Sequence, residues 1–148
     1  MQNILKLPPP IIALILAFLT YGISQLVPFA MEIISPLLGA VLLSSGLVLT
    51  GLAMVEFNAS KTTHLPTETP SQMVRSGPYQ WTRNPMYLGL CTCLAGAAFF
   101  VGAIPLFLAP VVFFIIIDKV FIPYEEAKLS SLFGYVYQEY TNTVKRWL

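Results

Sequence analysis

Two short runs of residues combine charge, backbone polarity and aromatic rings in a way that could hold or transform a small charged ligand. The first is Arg83-Asn84-Pro85-Met86-Tyr87-Leu88-Gly89. Asn is a favoured N-cap and Pro a favoured first helical residue, so Asn84 and Pro85 predict a helix start on structural grounds alone. Such a start exposes backbone N–H groups and a partial positive charge; with Arg83 and Tyr87 beside it, it suits the anionic end of a ligand. The second run is Pro123-Tyr124-Glu125-Glu126. Glu126 reads as an ordinary complement to a helix dipole. Glu125, beside a proline expected to kink or restart the helix, could neutralise an ammonium group or accept a proton. One anion site and one cation site suit a zwitterion, and Tyr79, Trp81 and Tyr87 could add aromatic faces for a sulfonium or ammonium group. Taken singly, each ring is more often an interfacial anchor.

The elements that must carry these runs follow from composition. The chain has 148 residues, of which 56% are apolar and only 10% charged, with a mean hydropathy of +0.73. Soluble domains carry about 25% charged residues, so the solvent of this single domain, residues 1–148, is mostly lipid. A net charge of +1 without a basic stripe excludes a nucleic-acid binder, and the composition excludes a disordered chain or a coiled coil. Cys91 and Cys93 lack the partners of a metal site and read as packing residues. No convincing cleavage site follows the first apolar stretch, which is therefore expected to remain in the mature protein.

A helix that crosses the hydrocarbon core needs about 20 mostly apolar residues. Four segments qualify, approximately 10–27, 36–55, 85–102 and 105–122, the last two forming a tight hairpin. The expected fold class is therefore all-α, an integral membrane protein with four transmembrane helices. Four spans place all eight basic residues, Lys6, Lys61, Arg75, Arg83, Lys119, Lys128, Lys145 and Arg146, on one side. The positive-inside rule makes that side cytoplasmic, with both termini and the two motif runs on it.

Segment 57–84 is too long for a simple connection. Its first half is polar and interrupted by prolines, whereas Met73, Val74, Tyr79 and Trp81 around Gly77-Pro78 predict an ordered cytosolic loop. Beyond Pro123, apolar residues at 129, 132, 133, 136, 140, 144 and 147 form a helical stripe, predicting an amphipathic helix over 124–147. That helix either rests on the membrane surface or closes over segment 57–84 to make a pocket.

The run Gln72-Met73-Val74-Arg75-Ser76-Gly77-Pro78-Tyr79, the run Arg83 to Gly89, and Glu125-Glu126 followed by Leu129, Phe133-Gly134, Tyr137 and Tyr140 stand in a recognisable order. In these motifs the chain resembles the isoprenylcysteine carboxyl methyltransferase family and its phospholipid-methyltransferase-like relatives, over about the C-terminal 85 residues. The resemblance implies a multi-pass enzyme of a bacterial or archaeal inner membrane that binds S-adenosylmethionine on its cytosolic face and releases S-adenosylhomocysteine. Carried over by motif, the cofactor-binding positions are His64, Ser71, Gln72, Met73, Val74, Tyr79, Asn84, Pro85, Met86, Tyr87 and Glu125. Two positions depart from the family. Asn84 stands where it usually has His, so no imidazole is available there. Phe121 stands where the prenylcysteine enzymes have Arg, which puts esterification of a prenylcysteine carboxylate in doubt; Lys119 is the nearest cation.

The expected reaction is in-line methyl transfer to a lipophilic or small hydrophobic acceptor delivered from the bilayer, with positioning and water exclusion as the protein's main tasks. A carboxylate or thiolate acceptor needs no base, whereas an ammonium acceptor, as in phospholipid N-methylation, must lose a proton, for which Glu125 and Glu126 are the catalytic candidates. No metal, nucleic acid or obligatory protein partner is expected. A membrane reductase using NADPH is a rival, but a 2′-phosphate calls for clustered arginines and the chain has three. A four-helix transporter would carry a carboxylate deep in a span, whereas Glu32, Glu56, Asp118 and Glu125 all fall near span ends.

Overall fold

A computed structural model describes residue 5 and residues 7–26, 35–60 and 69–148. Among these residues all regular structure is helical. Helix α1 spans Pro9–Leu26, α2 Pro36–Ala59, α3 Pro85–Val101, α4 Leu108–Ile116, α5 Ile122–Phe133 and α6 Tyr135–Thr143. Prolines stand at the starts of α1, α2 and α3 because the missing N–H of a first-turn residue has no intrahelical partner to lose. Gly102 closes α3 in the left-handed region at φ 78°, and a 3₁₀ turn over Ile104–Phe107 then reverses the chain into α4.

Among the described residues three helical stretches are long and apolar enough to cross a membrane: Pro9–Leu26, Pro36–Ala59 and Ile104–Phe133. Helix α3, with 17 residues, extends only about 26 Å against a hydrocarbon core of about 30 Å. Large apolar side chains such as Leu14, Phe18, Leu37, Val48 and Ile115 are exposed along these helices. In water that would be an aggregating surface; against lipid it is the expected one.

The stretch from 104 to 133 departs from the sequence expectation of a span ending near 122 and a separate helix over 124–147. Helices α4 and α5 are joined by a π-helical turn over Ile117–Phe121. Pro123 removes an N–H and crowds the carbonyl four residues back, that of Lys119. The wider turn falls on that segment, so the helix continues where a break was expected. The break comes later, at Gly134 (φ 49°, ψ −120°), and the helical stripe is split between α5 and the nine-residue α6.

Helices α2 and α3 pack through small residues. A Cβ on Gly46 would lie 2.6 Å from the carbonyl oxygen of Gly89, and one on Gly96 2.6 Å from the backbone nitrogen of Leu43. Gly39, Gly46 and Ala53 recur every seven residues and are all buried, which lets the two backbones approach as small-residue seams do in membranes. On the other side of α3, Phe113, Ile117, Phe121 and Ile122 are fully buried with Ile12, Ala13, Tyr87 and Leu94. A second cluster joins Ala53, Val74 and Tyr79, with Phe57 and Met86 against it. A pocket opens between the two clusters.

Candidate active site

The pocket is built where the C-terminal turns of α2, the segment 70–79 and the start of α3 meet α5 and α6. Its loop side is pinned to α2. Gly77 has φ 57°, and a Cβ there would lie 2.6 Å from Glu56 Oε1, so only glycine fits. Ser76 Oγ donates a short hydrogen bond to the same carboxylate. Pro78 and Tyr79 then form a buried 3₁₀ turn, and the Tyr79 ring meets Phe57 edge-on with centroids 5.5 Å apart.

Helix α6 covers this turn, deciding between the two expected positions of the amphipathic segment. Tyr140 Oη donates to the Tyr79 carbonyl at 2.7 Å, and both Tyr137 and Tyr140 are buried. Burial pushes the Tyr140 phenol up to about 12. The Tyr79 phenol is raised further, by burial first and then by the charges of Tyr140, Glu125 and Glu56. Both therefore stay neutral at physiological pH.

Across the pocket, Tyr87 on the first turn of α3 donates to Glu125 Oε1 at 2.5 Å. Glu126, one residue on, is held differently: Arg83 Nη2 lies 3.2 Å and Arg146 Nη2 2.6 Å from its carboxylate. Two guanidinium groups thus neutralise Glu126, whereas Glu125 faces a phenol. Arg83 also lines the pocket, and its buried Nε has no hydrogen-bond partner among the described residues.

Asn84 differs from the sequence expectation. It occupies the N-cap position of α3 but makes no capping hydrogen bond with its side chain. Its Nδ2 donates instead to the Arg146 carbonyl at 2.9 Å, a partner 62 residues away that no local pattern reveals.

Of the residues singled out from sequence, Gln72, Met73, Val74, Tyr79, Asn84, Met86, Tyr87, Glu125 and Glu126 line one pocket. Pro85 is buried and is not among the lining residues. Ser71 is exposed beside Gln72 and is not among the lining residues. His64 lies outside the described residues. The pocket also includes Pro8, Pro9 and Pro10 at the start of α1, Thr50, Met54 and Leu90, which the sequence places in spans, and Phe57, which it places at the start of segment 57–84. Thr50 is one of several polar residues of α2, with Ser44, Ser45, Glu56 and Asn58, and its buried hydroxyl has no partner among the described residues. These residues give one wall of the pocket an apolar, membrane-side character.

Phe121 is fully buried in the apolar core, and the exposed Lys119 side chain pairs with Asp118 at 2.9 Å. Neither lines the pocket. No group of three or more His, Cys, Asp or Glu among the described residues could hold a metal ion.

Comparison with known families matches residues 34–135 to the model described as phospholipid methyltransferase. The match runs from the start of α2 past Gly134 and stops short of Tyr137, Tyr140 and Arg146. Searches of curated proteins and of solved structures returned no match.

Proposed function

Because the chain belongs to the phospholipid methyltransferase family, we propose that this membrane methyltransferase uses S-adenosylmethionine, bound in the pocket between α3, α5 and the segment 70–79, to methylate a lipophilic acceptor. The observation that carries the reading is the Tyr87–Glu125 hydrogen bond, which sets a carboxylate and an aromatic rim at a helix start inside a pocket with an apolar wall.

The donor set fits the cofactor. The Arg83 Nε, which has no partner among the described residues, and the start of α3 suit a carboxylate. Glu125, oriented by Tyr87, suits an ammonium group, and the faces of Tyr79 and Tyr87 suit a sulfonium. When bound, S-adenosylmethionine supplies an activated methyl group on a sulfonium that leaves as a neutral thioether. The protein's own work is to orient the reactants and to exclude water, the latter through the α6 lid and the Met54, Phe57 and Leu90 wall.

An acceptor carrying an amine, such as an amino-phospholipid, is favoured over a prenylcysteine carboxylate. Buried Phe121 and surface-paired Lys119 provide no cation for a substrate carboxylate at the position where the prenylcysteine enzymes carry Arg. Glu125, hydrogen-bonded to a neutral phenol, is the group to receive the proton that an ammonium acceptor must lose. The proposed topology puts this face, with both termini, in the cytoplasm.

Calorimetry of the purified protein with S-adenosylhomocysteine tests the cofactor. Binding that is lost or at least tenfold weaker in Glu125→Ala is expected; absence of binding by the wild type overturns the reading. Transfer of radiolabelled methyl groups into lipid extract, against small thiols and acids, identifies the acceptor class.

A further inference from the structure

The segment that follows α6 turns back across the start of α3. Val144 leaves the helix with extended backbone (φ −119°, ψ 128°), and the Arg83 N–H donates to the Lys145 carbonyl at 2.9 Å. The next carbonyl, that of Arg146, accepts two hydrogen bonds, from Thr82 Oγ1 at 3.1 Å and from Asn84 Nδ2 at 2.9 Å. The Arg146 guanidinium reaches the opposite way. Its Nε and Nη2 donate to the two oxygens of Glu126 at 3.1 and 2.6 Å, and its Nη1 lies 3.4 Å from Asp118 Oδ1. Trp147 reinforces the crossing, with Nε1 3.1 Å from the same Asp118 oxygen and its ring 4.7 Å from that of Phe114.

One side chain can bridge Asp118 and Glu126 only if both lie on one helix face. In a regular α-helix, residues eight apart are offset by about 80°. The π turn over Ile117–Phe121 takes up one extra residue, so the same separation spans about seven regular steps and comes within about 20° of two full turns. The turn that accommodates Pro123 thus also aligns the two carboxylates for a single planar fork, a geometry that lysine does not reproduce.

We propose that Arg146 is a positioning residue of the methyltransferase site: it latches the first turn of α3 to α5, which keeps Tyr87 and Glu125 in register across the pocket. Its main chain holds Thr82 and Asn84, and its side chain holds Glu126, the immediate neighbour of Glu125. It therefore governs the Tyr87–Glu125 pair through residues on both sides. The proposal rests on the cofactor reading above for its functional consequence, but not for its mechanical one.

The test pairs two measurements on the full chain in detergent. Amide hydrogen exchange of the ligand-free protein is expected to quicken across residues 82–90 in Arg146→Met, less so in Arg146→Lys, with the α2 peptides unchanged. Calorimetry with S-adenosylhomocysteine is expected to show about tenfold weaker binding in Arg146→Met. In a Tyr87→Phe background the same substitution should cost less than about threefold, because both act through one pair. Unchanged exchange at 82–90, or fully additive losses of binding, overturns the proposal. Altered exchange in a protein whose wild type binds no S-adenosylhomocysteine overturns the cofactor reading and leaves the latch standing. If Arg146→Met does not fold, Asp118→Asn, which spares the contact with Glu126, carries the same test with effects of about threefold.

Discussion

The phenol of Tyr87 donates a 2.5 Å hydrogen bond to Glu125 Oε1 across 38 residues of chain, so the first turn of α3 and the first turn of α5 meet at a single proton. Hydrogen bonds to a charged group are typically worth about 1.5–3 kcal/mol, and this one orients the group assigned to the cofactor ammonium. Tyr87→Phe is expected to weaken S-adenosylhomocysteine binding by about 10- to 100-fold while the helices persist by circular dichroism. Calorimetry that finds unchanged affinity would remove Tyr87 from the site.

Glu56 is expected to govern the loop without touching the reacting groups. Its carboxylate accepts from Ser76 and lies where a side chain on Gly77 would stand. Glu56→Ala should leave the fold intact yet make the segment 69–80 sensitive to limited proteolysis. Cofactor affinity should fall about tenfold. A cleavage pattern identical to the wild type would mean that the tie carries no load.

The seam between α2 and α3 predicts an asymmetric response to glycine replacement. A side chain at Gly89 meets Thr50 and the Gly46 carbonyl, whereas nothing lies within 4 Å of a Cβ at Gly51. Gly89→Val should therefore prevent recovery of folded protein, through a clash costing several times the ~1–3 kcal/mol of ordinary overpacking. Gly51→Ala should be neutral or slightly stabilising, by up to about 1 kcal/mol. The yield of folded protein in detergent compares the two, with thermal unfolding for Gly51→Ala, and equal yields would contradict the close approach.

Tyr140 predicts a response to alkali. Its folded-state value of about 12 stands above the ordinary tyrosine value of 10.0. Burial favours the neutral phenol, so the buried hydroxyl and its hydrogen bond to the Tyr79 carbonyl contribute their full stability below pH 10 and lose it as the pH rises through the folded value. Ultraviolet titration should show that Tyr140→Phe removes one late-ionising phenol. The substitution should cost about 1 kcal/mol at neutral pH. Loss of an early-ionising phenol instead would mean that the α6 lid is open in solution.

The parts of this architecture that could be read from sequence are those governed by local rules. Pro36 and Pro85 mark helix starts because a first-turn residue loses nothing without its N–H. The motif residues converge on one pocket because hairpin packing returns Tyr87 and Glu125 to the same end. The misreadings arise where distant partners override local preference. Pro123 looks like a helix boundary until a π turn absorbs it, and Asn84 stands where a cap is expected but makes no side-chain cap bond and donates its Nδ2 to the distant Arg146 carbonyl. Gly134 is legible as a motif residue but not as a helix break, because the apolar period runs through it, and only a positive φ reveals the break. Thr50 has no local signature at all; its position in the pocket depends on the glycine seam.

Main chain touching main chain between α2 and α3 also separates what can be varied from what cannot. At Gly39, Gly46, Gly89 and Gly96 backbone atoms of the facing helix lie where a Cβ would stand, so the spacing of the two helices rests on peptide groups as well as on side chains such as Thr50 and Cys93. Met54, Phe57 and Leu90 project from that fixed scaffold into the pocket. A side-chain change at any of them alters the pocket wall and leaves the glycine contacts in place, whereas a single methyl group added at Gly46 or Gly89 would alter the scaffold itself.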